Sequence, residues 1–422
     1  MNYKDILAII VVFVIFQTSQ AIVKDWTKFE FVSIGSAPVA VISENESLST
    51  RLDCSHSKCF DPFKCNVLDE NKRIKVFVYP IQHFVDTSGI SVFPSQTREF
   101  LEILQAIVRS DYYTDDPMEA CLFVPSIDLL SQAKIDLESA SQALDSLSFW
   151  KQTGGNHLLF NMIPGSFPDY RRRLELKTGH AIIAGAGFDI WSYRPSFDVS
   201  IPVFSSFALN FTDDRESQIK RFLICTQFEA VSQDLKSILK NLVDTSSNEL
   251  FIFGDKCHSL EVGEGSRRFP GEAGRISKLC DVSTGETVSY PHVLSEATFC
   301  LVMPTAFLAS PTLSDILMAN CIPVIVSDEV VLPFQERIDW NRASIKLHPF
   351  LLPNVIEILK AIQTERIQEM KLYGKQVFEL YFSSLERIAL TTLKMINERV
   401  IPSSIKRDSL DMSCLRKQPN PL

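Results

Sequence analysis

The chain has 422 residues, enough for two domains of about 150 residues each with segments to spare. Its hydrophobic content of 45% supports a large core, and no repeat or low-complexity tract interrupts it. A net charge of −9 weighs against a nucleic-acid binder, which needs clustered Lys and Arg to neutralise phosphates.

Residues 1–23 begin the chain with an uncharged apolar span from Ile6 to Val23. The length is marginal for a bilayer, which takes about 20 apolar residues. The span reads either as a signal peptide cut near Gln17–Ala21 or as a signal anchor with a short cytosolic tail bearing Lys4. Both readings send the body into the secretory pathway. The 10 cysteines suit an oxidising compartment. Residues 24–72 form a luminal stem ending in the cluster Cys54, Cys59 and Cys65. With only His56 nearby and no second cysteine pair at finger spacing, these read as disulfide formers and no metal is expected. Cys257 with Cys280, and Cys300 with Cys321, are further disulfide candidates; the second pair reads equally as small buried hydrophobes. Asn45 and Asn210 open glycosylation sequons, which matter only for a luminal chain.

A first Rossmann-like lobe is predicted over residues 73–219. Ile74–Tyr79, Cys121–Val124, His157–Phe160, Ala181–Ala184 and Ile201–Phe204 are its apolar strand-like runs. Phe100, Leu101, Leu104, Ile107 and Val108 share one helical face, and Asp136–Trp150 reads as a second helix. A second lobe is predicted over 220–402, with strands at Phe222–Cys225, Leu250–Phe253, Phe299–Val302, Pro323–Val326 and Ala343–Leu347. Ser383-Ser-Leu-Glu386 reads as a capping box ahead of a helix to Arg399. Residues 403–422 are a polar tail. The alternation implies an α/β fold with parallel sheets and a cleft between two lobes, with ligands at strand carboxyl ends.

Within the second lobe, Ala297–Trp340 reads as strand, loop, helix, strand and loop. Ser310 is the expected N-cap with Pro311 at the first helical position. A phosphate-bearing ligand normally sits at such a loop. No Lys, Arg or His occurs between His292 and Arg337, however, so a diphosphate there would meet helix amides and little else.

The blocks YYTDDPMEACLFVPSID, GGNHLLFNMIPGSFPDY, RPSFDVSIPVFS, ATFCLV…CIPVIVSD…LPF…IDW and YFSSLERIALTTLKMINERV resemble the exostosin family, its first member most, from about Cys54 to Val400. The resemblance implies a GT-B-like fold. It also implies a single-pass type II protein of the endoplasmic reticulum and Golgi membrane that takes part in elongating heparan sulfate. Full-length members carry a glucuronic-acid-transferring module followed by a second, N-acetylglucosamine-transferring module, and this chain stops after the first. No cofactor or metal is implied; a UDP-sugar is the donor if the chain is active. The implied partners are the heparan sulfate chain, the membrane through the N-terminal segment, and a full-length exostosin-family glycosyltransferase in a hetero-oligomer.

The chain departs from the family pattern where cations are expected. A Pro-Arg-Gly-Arg-like loop is replaced by Met303-Pro304-Thr305-Ala306, and an Arg three residues before an acidic residue by Thr312 before Asp315. A Phe-Lys-Gly-Lys-Arg run is replaced by Thr226-Gln227-Phe228-Glu229-Ala230. Metal-free transfer needs cations or amides on the leaving diphosphate. Each charge-assisted contact contributes about 1.5–3 kcal/mol, so losing three or four costs several orders of magnitude in rate.

The donor-side candidates are therefore Ser310, Asp315, and the substitutes Arg267, Arg268 and Arg275. Asp315 is read as a ribose ligand or as a solvated helix residue. Asp328 and Glu329 follow a strand end and are candidates for the catalytic base, with an acidic turn as the alternative. His157 and Asp169 are acceptor-side candidates, set against a hydrogen-bonded structural histidine and a loop terminus. Two functions stay open: a catalytically weak subunit supporting a full-length polymerase, and an active inverting glucuronyltransferase that uses the 267–275 arginines.

Overall fold

The computed structural model describes residues 30–33, 54, 58–65, 73–85, 89–93, 95–130, 136–151, 153–162, 176, 178–209, 220–227, 233–245, 249–254, 279–282, 284–303 and 312–401. The N-terminal apolar span, Asn45, Asn210 and the polar tail lie outside them. No described helix is long and apolar enough to cross a membrane.

β1 (Glu30–Ser33) pairs in parallel with β3 (Gln82–Val85) as a small separate sheet. In the first lobe, β2 (Val76–Val78) pairs in parallel with β4 (Leu122–Val124), and a parallel bridge from Phe123 to His157 continues to β5 (Leu158–Asn161). Parallel pairing then runs through β6 (Ile182–Gly185) to β7 (Val199–Ser200). Strands buried on both faces read as unbroken apolar runs, which is why most were legible in the sequence. The last was placed two residues late: the strand ends at Ser200, and residues 201–205 run on without regular structure toward the second lobe.

Among the described residues, the second lobe holds seven strands: β8 (Phe222–Gln227), β9 (Leu250–Gly254), β10 (Leu279–Asp281), β11 (Thr287–Val288), β12 (Ala297–Val302), β13 (Ile322–Ile325) and β14 (Ile345–Lys346). Their order is β11-β10-β9-β8-β12-β13-β14, with β10 and β11 antiparallel at one edge. The five parallel strands run in the doubly wound order 2-1-3-4-5, so the order in which strands are added switches sides between β8 and β12. Ile224, Phe299, Leu301, Ile322 and Val324 fill one face, and Cys225, Phe253, Cys300 and Cys321 the other.

The carboxyl ends of the two sheets meet. The segment leaving β13 packs on the ends of β6 and β7: the Ile190 amide donates to the Glu329 carbonyl (2.9 Å), Val331 to Phe188 (2.8 Å) and Phe334 to Ser200 (2.7 Å). The Leu385–Val400 helix then returns to the first lobe. There Asn397 accepts the Ile74 amide at 2.8 Å, and Arg399 donates to the carbonyls of Phe197 and Asp198 at 3.0 Å each. The N-cap of that helix is Ser384, not Ser383: the Ser384 hydroxyl accepts the Arg387 amide, which shifts the cap by one residue.

Disulfides join Cys54 to Cys59, Cys65 to Cys121 and Cys300 to Cys321. Cys121, which precedes β4, was not among the expected cysteines. Cys280 is disulfide-bonded, and Cys257 lies outside the described residues. Cys225 is a free thiol within 3.0 Å of the Cys300 sulfur, its pKa raised by burial.

Candidate functional site

The doubly wound order places the expected ligand crevice outside the carboxyl ends of β8 and β12. Thr226-Gln227 and Met303 stand at those ends. Of these, Gln227 stands where the resemblance implies a lysine, and the loops in which it implies further basic residues begin just beyond them. Residues 228–232 and 304–311, with Ser310 among them, lie outside the described structure, as do Arg267, Arg268, Arg275 and Asp169.

Beside this crevice runs the Leu313–Met318 helix. The N-cap is Thr312, two residues after the expected Ser310, and its hydroxyl oxygen accepts the Asp315 amide at 3.1 Å. Asp315 is 4% exposed. Its carboxylate accepts hydrogen bonds from three hydroxyls: Tyr290 at 2.6 Å, Thr312 at 2.9 Å, and Ser205 of the first lobe. The next hydroxyl along, Ser314, donates to the Val203 carbonyl, also in the first lobe. Neither sequence reading of Asp315 describes this arrangement. The residue is not solvated, and both of its carboxylate oxygens accept hydrogen bonds from protein hydroxyls. The Thr312-x-x-Asp315 spacing is a cap signature that the sequence contained. Ser205 and Tyr290, distant in sequence, carried no such signal.

Asp328 and Glu329 are exposed at the end of β13. The Asp328 carboxylate pairs with His348 Nε2 at 2.8 Å, and Lys346 Nζ lies 3.5 Å from the Asp328 carbonyl oxygen. Glu329 is tied to the first lobe through its carbonyl alone. Neither carboxylate shares a hydrogen bond with Asp315 among the described residues, so these candidates do not form one cluster.

His157 is fully buried. Its Nε2 lies 3.1 Å from the Tyr79 hydroxyl and its Nδ1 3.0 Å from the Gly155 carbonyl. Tyr79 and Phe123 stack on the ring and Trp150 meets it edge-on. Burial lowers its pKa to about 4. This is the structural histidine of the two readings, and the acceptor-side expectation does not fit it. A second buried polar unit organises the same lobe: Arg194 grips Asp198 through Nε at 2.8 Å and Nη2 at 2.6 Å, and Asp198 accepts the Ile183 amide.

Residues 70–362 match the model of the Exostosin GT47 domain. The chain belongs to this family. Its facing Rossmann-like lobes are the GT-B-like arrangement the sequence led one to expect. The chain is 39% identical over 373 residues to Exostosin-2 of Mus musculus, covering 88% of this chain and 50% of that one. It is 31% identical over 393 residues to Exostosin-1 of Drosophila melanogaster, covering 87% and 48%. Identity is thus higher with the second exostosin than with the first, the reverse of the sequence reading. The chain spans about half the length of the curated relatives it matches. A solved glycosyltransferase from Rickettsia africae overlaps 79% of this chain and 100% of its own, at 10% identity and a TM-score of 0.35, a likeness too slight to argue from.

Proposed function

We propose that this chain acts in heparan sulfate chain elongation as a catalytically weak or inactive exostosin-like subunit that supports a full-length exostosin-family polymerase. The observation that carries the reading is the state of the Leu313–Met318 helix. The position of a family arginine is a capping threonine, and the carboxylate beside it is spent on three protein hydroxyls. No Lys, Arg or His occurs between His292 and Arg337 to replace that arginine. A helix N-terminus supplies only about half a positive charge against a UDP-sugar diphosphate. The packing blocks that hold the two lobes together are kept, as a supporting subunit requires.

The protein resides, on this reading, in the endoplasmic reticulum and Golgi membrane with a luminal body, anchored through residues 1–23 and glycosylated at Asn45 and Asn210. The disulfides agree with an oxidising lumen. The test is co-expression of the full chain with a full-length exostosin-family protein. Recovery of a stable complex, with no measurable UDP binding by this chain alone, is expected. A chain that binds UDP tightly and never co-purifies contradicts the proposal.

A further inference from the structure

We infer that Cys225, Cys300 and Cys321 form an internal thiol–disulfide exchange site, in which the Cys225 sulfur takes Cys300 over from Cys321 and so unfastens a helix that contacts the first lobe. The inference does not depend on the proposed function.

The sheet brings the three sulfurs together. Cys225 lies in β8 and Cys300 in β12, and the two are direct partners in the parallel register. Cys321 immediately precedes β13, whose register pairs Phe299 with Ile322 and Cys300 with Pro323. Side chains alternate along a strand, so all three cysteines fall on one face, where they pack with Phe253 and Leu294. Their Sγ atoms lie within 4.8 Å of one another, and Cys225 Sγ is 3.0 Å from Cys300 Sγ. Cys225 is a thiol, and Cys300 and Cys321 are bonded to each other. An attacking sulfur thus stands in contact with the disulfide it would open.

The exchange balances without an outside reagent. Cys225, as a thiolate, attacks Cys300 Sγ; the Cys225–Cys300 bond forms and the Cys300–Cys321 bond breaks. The electron pair leaves with Cys321 Sγ, which takes up the proton that Cys225 gave. The product is within reach, because in-register neighbours on adjacent strands have Cα atoms about 4.8 Å apart, inside the disulfide range of about 4.4–6.8 Å. The two linkages span sequence separations of 75 and 21 residues. Loop-closure entropy grows only with the logarithm of length, so the chain sets neither linkage far above the other. Burial raises the pKa of the Cys225 thiol and keeps it slow to react, while nearby Lys220 acts in the opposite direction. Lys220 also donates to the Asn320 carbonyl at 3.4 Å, next to the sulfur that leaves.

The consequence falls on the Leu313–Met318 helix, which lies between the two bonded cysteines. That helix carries Asp315, which accepts the Ser205 hydroxyl, and Ser314, which donates to the Val203 carbonyl, both in the first lobe. Moving the bridge ties β12 to β8 and releases the segment that follows the helix.

The full chain, in detergent micelles without reductant, is incubated in mildly alkaline buffer, quenched in acid to stop exchange and digested with pepsin. Its bridged peptides are read by mass spectrometry. A Cys225–Cys300 bridge is expected to grow over hours, with one free Cys321 for each bridge formed. Amide hydrogen exchange in Leu313–Met318 is expected to quicken in step. Cys225→Ser abolishes both changes and keeps the Cys300–Cys321 bridge whole. Should that variant fold poorly, Cys321→Ser carries the test: a bridge between Cys225 and Cys300 supports the site, and two free thiols overturn it. Wild type that keeps Cys300–Cys321 throughout, or that moves Cys300 onto Cys414, overturns the exchange. A Cys225–Cys300 bridge that leaves the helix amides as protected as before overturns the release of the helix.

Discussion

The fate of two side chains, Asp315 and His157, shows most clearly how function and structure divide in this chain. The Asp315 side chain is buried and accepts hydrogen bonds from three hydroxyl donors, one of them from the other lobe. Leaving a buried hydrogen-bonding group without its partner costs about 1–3 kcal/mol. Asp315→Asn puts an amide donor among hydroxyl donors and is expected to lower stability by about 2–4 kcal/mol, read as a shift in the urea midpoint. His157 has the opposite character. Burial lowers its pKa to about 4, whereas the unfolded imidazole titrates near 6.5. The unfolded state therefore binds more protons between those values. The stability this site contributes is complete above about pH 6.5 and declines as pH falls toward 4, by about 3 kcal/mol in all. Denaturation of wild type and His157→Gln at pH 7 and pH 5 checks this: the variant loses less stability on acidification. Both residues were visible in the sequence as candidates. Their partners were not, because Ser205, Tyr290 and Tyr79 meet them only through tertiary packing.

Single elements were legible where burial imposed a pattern. β4, β5, β6, β9, β12 and β13 are apolar throughout or nearly so, and each was found within a residue or two. β1 and β3 were missed, because Glu-Phe-Val-Ser and Gln-His-Phe-Val show no such run and pair across a long stretch of sequence. β10 and β11 are short edge strands whose antiparallel pairing no local pattern announces. Helix caps were misplaced by one or two residues because neighbouring hydroxyls compete for the same role. The correction at the last helix is testable. Ser384→Ala is expected to cost about 1 kcal/mol, while Ser383→Ala, outside the cap, costs less than half as much in the same thermal melt. Gly154 illustrates a different constraint. Its φ is +66°, and a Cβ there would lie 2.8 Å from the Trp150 ring. Gly154→Ala is therefore expected to destabilise the first lobe by more than about 1 kcal/mol, read as a lower melting midpoint.

At the scale of the whole molecule, two Rossmann-like lobes are joined by their facing carboxyl ends and by a returning C-terminal helix. Arg399 serves this joint: it pairs with Glu336 at 2.6 Å and donates to two first-lobe carbonyls. The architecture was legible because strand–helix alternation fixes the fold class before any contact is known. The chemistry was legible only as a proposal, from the cations that the family resemblance implies beyond the carboxyl ends of β8 and β12 and that this sequence does not carry. The structure adds that Asp315, the acidic group kept beside them, is turned inward to hold the lobes together. The most direct measurement is glucuronate transfer from UDP-glucuronic acid onto heparosan oligosaccharides by the full chain alone, by a full-length exostosin-family partner alone, and by both together. This account predicts no turnover by the chain alone and a higher rate for the pair than for the partner. Turnover by the isolated chain that is abolished by replacing Arg267, Arg268 and Arg275 would contradict it.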